Sequence, residues 1–213
     1  MSNIVYVGGQ KGGTTKTTTS HLICLGAILR KQPAAYVLTY PHRRIKAEGR
    51  PYGALDGRDG NGLAQIITAS HSMGNGWLIV DGGGNWPAFD QAMAEQAHLT
   101  ILPFRASEED LEAVARDMET MPHALAAFGM VHEQACPGAA QRLIDGLSKA
   151  FPGLVIDTPV WFVNSTAELL GASLENPSTA VRNAARHTFG ILTTAFELRA
   201  ELADEATSAA HAG

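Results

Sequence analysis

The chain has 213 residues, a length that suits one domain. Hydrophobic residues make up 45% and charged residues 17%, enough apolar material for a core and too little charge for a disordered chain. Lys and Arg number 16 against 21 Asp and Glu, a net charge of −5, so binding to nucleic acid or an anionic membrane requires a local patch.

Glycine, at 22 residues, exceeds the usual share of ~7%. Backbone that closes round a ligand is one reason for such an excess. The apolar runs fall well short of the ~20 residues of a membrane span. Met1 to Val7 has no basic n-region and no cleavage site. Cys24 and Cys136 are too few for a disulfide framework or a zinc site, and the histidines lack metal spacing. The expectation is a cytoplasmic chain with no membrane association.

Ile4–Val7 reads as a buried strand that runs into Gly8 and Gly9. Thr17 to Lys31 reads as a helix, stopped by Pro33. Ala35–Thr39 is a second strand. His42 to Gly62 is polar, basic and Gly-rich, without clear periodicity, and reads as a long irregular segment. Leu63–Ser70 is a short helix, and Trp77–Val80 a strand that ends at Asp81. Thr100–Pro103 is a further strand, followed by a capping-box sequence at Ser107 and a helix to Met121. Ala124–Phe128 is a weak strand and Gly138–Ala150 an amphipathic helix. Leu154–Ile156 and Val160–Val163 are extended, Thr166–Leu170 is a helical turn, and Ser178 to Leu202 a long helix. Residues 1–202 then form a single domain and 203–213 a flexible tail. Strands alternate with helices, which predicts an α/β class: a mostly parallel twisted sheet with helices on both faces.

One constellation carries chemistry. The first strand leads into Lys11-Gly12-Gly13-Thr14-Thr15-Lys16-Thr17-Thr18 and then a helix. Free amides at a helix N-terminus, with the helix dipole behind them, form an anion cradle. Lys16 would reach the terminal phosphates and the Thr17 hydroxyl would ligate Mg²⁺. Asp81, at the end of a hydrophobic strand, would hold that Mg²⁺ through water.

This segment resembles the deviant phosphate loop of the ParA/MinD family of P-loop ATPases, Lys-Gly-Gly-x-Gly-Lys-Ser/Thr-Thr/Ser. Leu78-Ile79-Val80-Asp81-Gly82-Gly83-Gly84 and Leu99-Thr100-Ile101-Leu102-Pro103 are similar to the family's two following anchors. The length is that of small plasmid-type ParA-like partition proteins. The resemblance implies ATP or ADP with Mg²⁺ as ligands and a homodimer formed on ATP. Lys11 becomes the signature lysine that reaches the partner subunit's phosphates. It implies a role in plasmid or DNA segregation or mobile-element maintenance, with a centromere-binding adaptor protein. A non-hydrolysing scaffold or adaptor in conjugative DNA transfer is the alternative. Lys11, Lys16 and Asp81 are the catalytic candidates, Gly12 to Thr18 the nucleotide-binding ones, and Thr17 and Asp81 the metal ligands.

Two departures bear on turnover. Thr15 stands where the family has Gly, directly before Lys16, and a β-branched residue restricts the loop. Aligning Pro41 with the proline of the family's Asp-x-Asp-Pro places Leu38 and Tyr40 at its two aspartates. The first of these orients the attacking water in the family, so weak or absent hydrolysis is expected. Arg182 and Arg186, four apart on the last helix, are candidates for sequence-independent DNA contact, which would place the dimer on the nucleoid. His42-Arg43-Arg44-Ile45-Lys46, with Arg50 and Arg58, is a second basic cluster. Val160–Asn164 is a candidate for adenine contact, Trp161 and Phe162 read as core, and Trp86 as a dimer-surface residue.

Overall fold

The computed structural model describes residues 2–40, 48–59, 61–83, 87–105, 107–121, 124–128, 137–156, 158, 160, 164–171 and 173–211. The basic cluster at 42–46, Gly84, Trp86, Cys136, Trp161 and Phe162 lie outside these residues.

Seven strands form one sheet. They are β1 (Asn3–Val7), β2 (Ala34–Leu38), β3 (Gly53–Asp56), β4 (Trp77–Asp81), β5 (Leu99–Phe104), β6 (Ala124–Phe128) and β7 (Val155–Ile156), in the order β3-β2-β4-β1-β5-β6-β7. Every described pairing is parallel. The helices are α1 (Lys16–Leu29), α2 (Gly62–Ser72), α3 (Pro87–Gln96), α4 (Glu108–Thr120), α5 (Pro137–Ala150) and α6 (Thr179–His211), with a 3₁₀ helix at Asn164–Leu170. The expected class, an α/β fold with helices on both faces of a parallel sheet, is the one observed.

The strand period of two sorts the core into two layers. Val5, Val7, Trp77, Ile79, Leu99 and Ile101 face α1 and α6. Ile4, Tyr6, Leu78, Val80, Leu102 and Phe104 face the opposite layer, which includes Ile66 of α2, Met93 of α3, Val114 of α4 and Leu147 of α5. Central strands buried on both faces read as continuous apolar runs, which is why β1, β4 and β5 are legible. Helix α1 is buried nearly all round because it is sandwiched between the sheet and α6. Cys24 lies on it, fully buried and unoxidised, its thiol pushed up by burial.

Two expectations change. The segment 42–62 is not wholly irregular: β3 lies in it, paired with β2 from Ala35↔Gly53 to Leu38↔Asp56. As a largely exposed edge strand it shows no apolar alternation. Helix α3, unassigned from sequence, is made of small and polar residues around a buried Phe89, Met93 and Ala94. Helix α6 runs to His211.

The α1–α6 crossing is close. A Cβ on Gly26 would stand 2.2 Å from the Ala185 carbonyl oxygen and 2.5 Å from Phe189 Cβ. Trp77 at the start of β4 meets Phe189 and Phe196 of α6 edge-on, with ring centroids 5.3 and 5.5 Å apart. Gly26→Ala therefore forces the helices apart. It is expected to lower unfolding stability by about 1–3 kcal/mol in a urea titration, the usual cost of overpacking.

Candidate functional site

The parallel register places the site. β1 and β4 lie side by side with Val7 opposite Asp81, so the Gly-rich loop after β1 and the carboxylate ending β4 open at the same edge of the sheet. Ligand sites of open α/β sheets lie at these carboxyl ends.

Helix α1 starts at Lys16, and its N-cap residue, Thr15, makes no side-chain cap hydrogen bond. The first turn of α1 thus presents amide N–H groups that its N-cap side chain leaves uncapped. Residues Gly12 to Thr18, Tyr40, Gly82, Gly83 and Leu170 line a cleft of about 400 Å³ at this point. The structure therefore gathers Gly12 to Thr18 round one cleft, while Lys11 and Asp81 are not among its lining residues.

Thr15 adopts φ 68° and ψ 11°, the left-handed region. This explains the glycine of the resembled pattern: glycine takes that backbone without strain, and a β-branched residue does not. The Thr15 hydroxyl is buried and makes no hydrogen bond among the described residues. The loop carries backbone strain at this residue. Gly13, at φ 77°, is a second left-handed position in the same loop.

Lys16 is buried, and its ammonium donates to the Lys11 carbonyl oxygen at 2.7 Å and to Thr14 Oγ1 at 3.4 Å. The amine thus rests on loop oxygens, the partners that a phosphate oxygen would replace. Asp81 is 1% exposed. Its Oδ2 accepts from the Tyr36 hydroxyl at 2.7 Å, and its backbone oxygen from Thr39 Oγ1 at 2.6 Å. Tyr36 is stacked on the buried His21, whose Nδ1 lies 2.9 Å from the Tyr52 hydroxyl. Leu38 is 1% exposed in the α1–α6 layer. Tyr40, at the other aspartate position, lines the cleft.

Helix α4 grips the loop from the other side. Ser107 caps it, accepting from the Asp110 amide at 3.2 Å, as expected. The Asp110 carboxylate reaches past the cap. It takes the Lys11 ammonium on Oδ1 and the Arg105 amide on Oδ2 at 3.0 Å. One face further along, two turns away, Asp117 Oδ2 accepts from the Gln10 amide at 2.9 Å. Burial pushes the Asp117 carboxyl above its ordinary range, partly offset by the Gln10 hydrogen bond. Burial also pushes the Asp110 carboxyl up, but its bonds to Lys11 and Arg105 outweigh this and hold it below the usual range.

Arg182 and Arg186 are not part of this cleft. Arg182 donates to Thr179 Oγ1 at 3.1 Å. Arg186 lines a separate groove with Arg30, just past the C-terminus of α1, so α1 stands between it and the phosphate loop, a length of ~20 Å for 14 residues. Among the described residues there is no group of three or more His, Cys, Asp or Glu able to hold a metal ion. Sequence reading missed Asp110, Asp117, Tyr36 and Leu170 as site residues, and Arg105 as the neighbour of Asp110 outside the cleft lining. The seven-residue spacing of Asp110 and Asp117 was the available signal for two of them.

No protein-family model matches the chain, and no curated protein matches it. Solved structures do. McdA of Cyanothece superposes with TM-score 0.61 at 13% identity, covering 94% of this chain and 99% of that one. The ParA of pNOB8 gives 0.58 at 12% identity, covering 96% and 99%. MinD of Pyrococcus horikoshii complexed with Mg-ADP gives 0.56 at 13% identity, covering 89% and 95%.

Two measurements check this geometry. Thr15→Gly removes left-handed strain of ~1–3 kcal/mol but frees the unfolded chain, so a net gain of about 1 kcal/mol is expected in chemical denaturation. Asp110 has a lowered folded pKa, so its contribution is complete above the unfolded carboxylate value of ~4 and is lost as pH falls through the folded value. Melting temperatures of the native chain and Asp110→Asn should converge on acidification below about pH 4. On this likeness and on its seven-stranded parallel sheet, the chain has the fold of the ParA/MinD P-loop ATPases.

Proposed function

We propose that the chain is a ParA-like nucleotide-binding protein that takes ATP or ADP with Mg²⁺ in the cleft of Gly12 to Thr18. The observation that carries this reading is the uncapped start of α1, with Lys16 buried beside it and a glycine-bearing loop folded over it. Loop amides and the helix dipole bind the β-phosphate, and Lys16 exchanges the Lys11 carbonyl for a phosphate oxygen. Thr17 and Asp81 would hold the magnesium ion, which would supply charge neutralisation at the phosphates. Tyr36 keeps the Asp81 carboxylate oriented. Lys11 is the cation for a second chain's nucleotide, so ATP favours a homodimer.

Within this reading the dimer serves plasmid or DNA segregation, or mobile-element maintenance, in the cytoplasm, together with a centromere-binding adaptor. Arg182 and Arg186 offer each chain two cations for phosphate-backbone contact, doubled in the dimer. None of the described helices is long and apolar enough to cross a membrane. A second reading, a non-hydrolysing scaffold in conjugative transfer, is favoured by one observation. Leu38 is sealed in the core at the position where a water-orienting aspartate is expected. Both readings share the nucleotide site and differ in turnover.

Calorimetry with Mg-ADP tests the site. Lys16→Ala removes a charge-assisted contact and is expected to weaken binding about 10- to 100-fold, without loss of fold by circular dichroism. Unchanged affinity in that variant overturns the proposal. A steady-state phosphate-release assay separates the two readings: turnover lost in Asp81→Ala supports the cycling protein, and a background rate supports the scaffold.

A further inference from the structure

Asp110 is shared by two cations. Its side chain is 3% exposed, yet Lys11 is ion-paired to Oδ1 while Arg105 offers Oδ2 both its amide and, at 3.4 Å, its Nε. Lys11 belongs to the phosphate loop. Arg105 lies over the same loop: its guanidinium Nη2 is 2.9 Å from where a Cβ on Gly13 would stand. The Arg105 side chain is 52% exposed, so the carboxylate, rather than packing, holds it there. Glu109 also meets Lys11, at 3.1 Å, but it is 86% exposed and such a pair is weak.

A buried carboxylate stripped of its cation is left as an uncompensated charge, which is strongly unfavourable. If Lys11 were the sole partner of Asp110, moving its ammonium to a phosphate would carry that penalty. Arg105 removes the difficulty. Its planar fork already has one N–H on Oδ2 and can turn to engage both oxygens when Oδ1 is vacated. No proton moves, since lysine and arginine remain charged throughout.

We infer that Arg105 is a positioning residue that keeps Asp110 neutralised while Lys11 leaves it for a nucleotide phosphate. The destination of Lys11 rests on the proposed function; the sharing of Asp110 does not. Arg105 thereby lets one buried carboxylate hold the signature lysine in the nucleotide-free chain without trapping it. The resembled pattern assigns no role to this arginine.

Two measurements on the full chain test the inference separately. The first is a double-mutant cycle in thermal stability with Lys11→Ala and Arg105→Gln. Each single variant leaves Asp110 one cation, so the double variant should lose at least ~4 °C more than the sum of the singles, about 1–2 times the shift of a modest interaction in a chain of this size. Additive losses overturn the sharing. The second is sedimentation with Mg-AMPPNP. Arg105→Gln should weaken the nucleotide-dependent dimer at least tenfold while Mg-ADP affinity stays within about twofold, and Arg105→Lys, which keeps the charge, should recover most of the loss. Equal weakening of ADP binding and dimerisation makes Arg105 a plain phosphate cation and overturns the inference, as does an undiminished dimer. If the native chain itself forms no dimer with AMPPNP, the proposed function fails in its dimer step, and with it the destination assigned to Lys11, whatever the thermal cycle gives.

Discussion

An α-helix cannot satisfy its own first amides, and α1 begins on a residue whose side chain does not cap them. Much else in the molecule follows from keeping that end open yet folded. The chain has to turn sharply out of β1 and enter the helix from a left-handed residue, and Thr15 takes that conformation despite its branched side chain. The helix body is fixed by burial on nearly every side, against the sheet and against α6 at the Gly26 crossing. Strain at one end is therefore held by packing along the rest of the element.

The loop is also gripped from outside the strand–loop–helix unit. Two carboxylates on one face of α4 take a side chain and an amide of successive loop residues: Asp110 takes Lys11 and Asp117 takes Gln10. Those contacts span about 100 residues of sequence, and they need the parallel order that sets β5 beside β1. The β5–α4 unit thus holds the outer side of the loop. Lys16, Lys11 and Asp81 are each engaged by the chain itself, so none of them stands as a bare charge.

Positions 15 and 38 depart from the resembled pattern in physically different ways. At position 15 a β-branched residue sits in left-handed backbone. At position 38 the side chain is part of the core. The first change alters how firmly the loop holds its shape. The second leaves no carboxylate at that strand end to order a water. The two proposed readings therefore share the cleft and differ at position 38.

The sequence by itself determined the elements whose chemistry is local. The doubly buried strands declare themselves as apolar runs, the Ser107 cap by its hydroxyl and acidic turn, and the phosphate loop by glycines between a strand and a helix. Edge strand β3 and helix α3 escaped because neither carries a strong apolar period. An exposed edge needs none, and a short helix can be anchored by Phe89, Met93 and Ala94 alone. The tertiary structure decided what depends on distance in space: that Asp110 and Asp117 face the loop, that Tyr36 holds Asp81, and that Arg186 stands at the far end of α1 from the cleft. Side-chain partners brought together by strand order leave no trace in local pattern, because their meeting is fixed by register and packing between segments far apart in sequence.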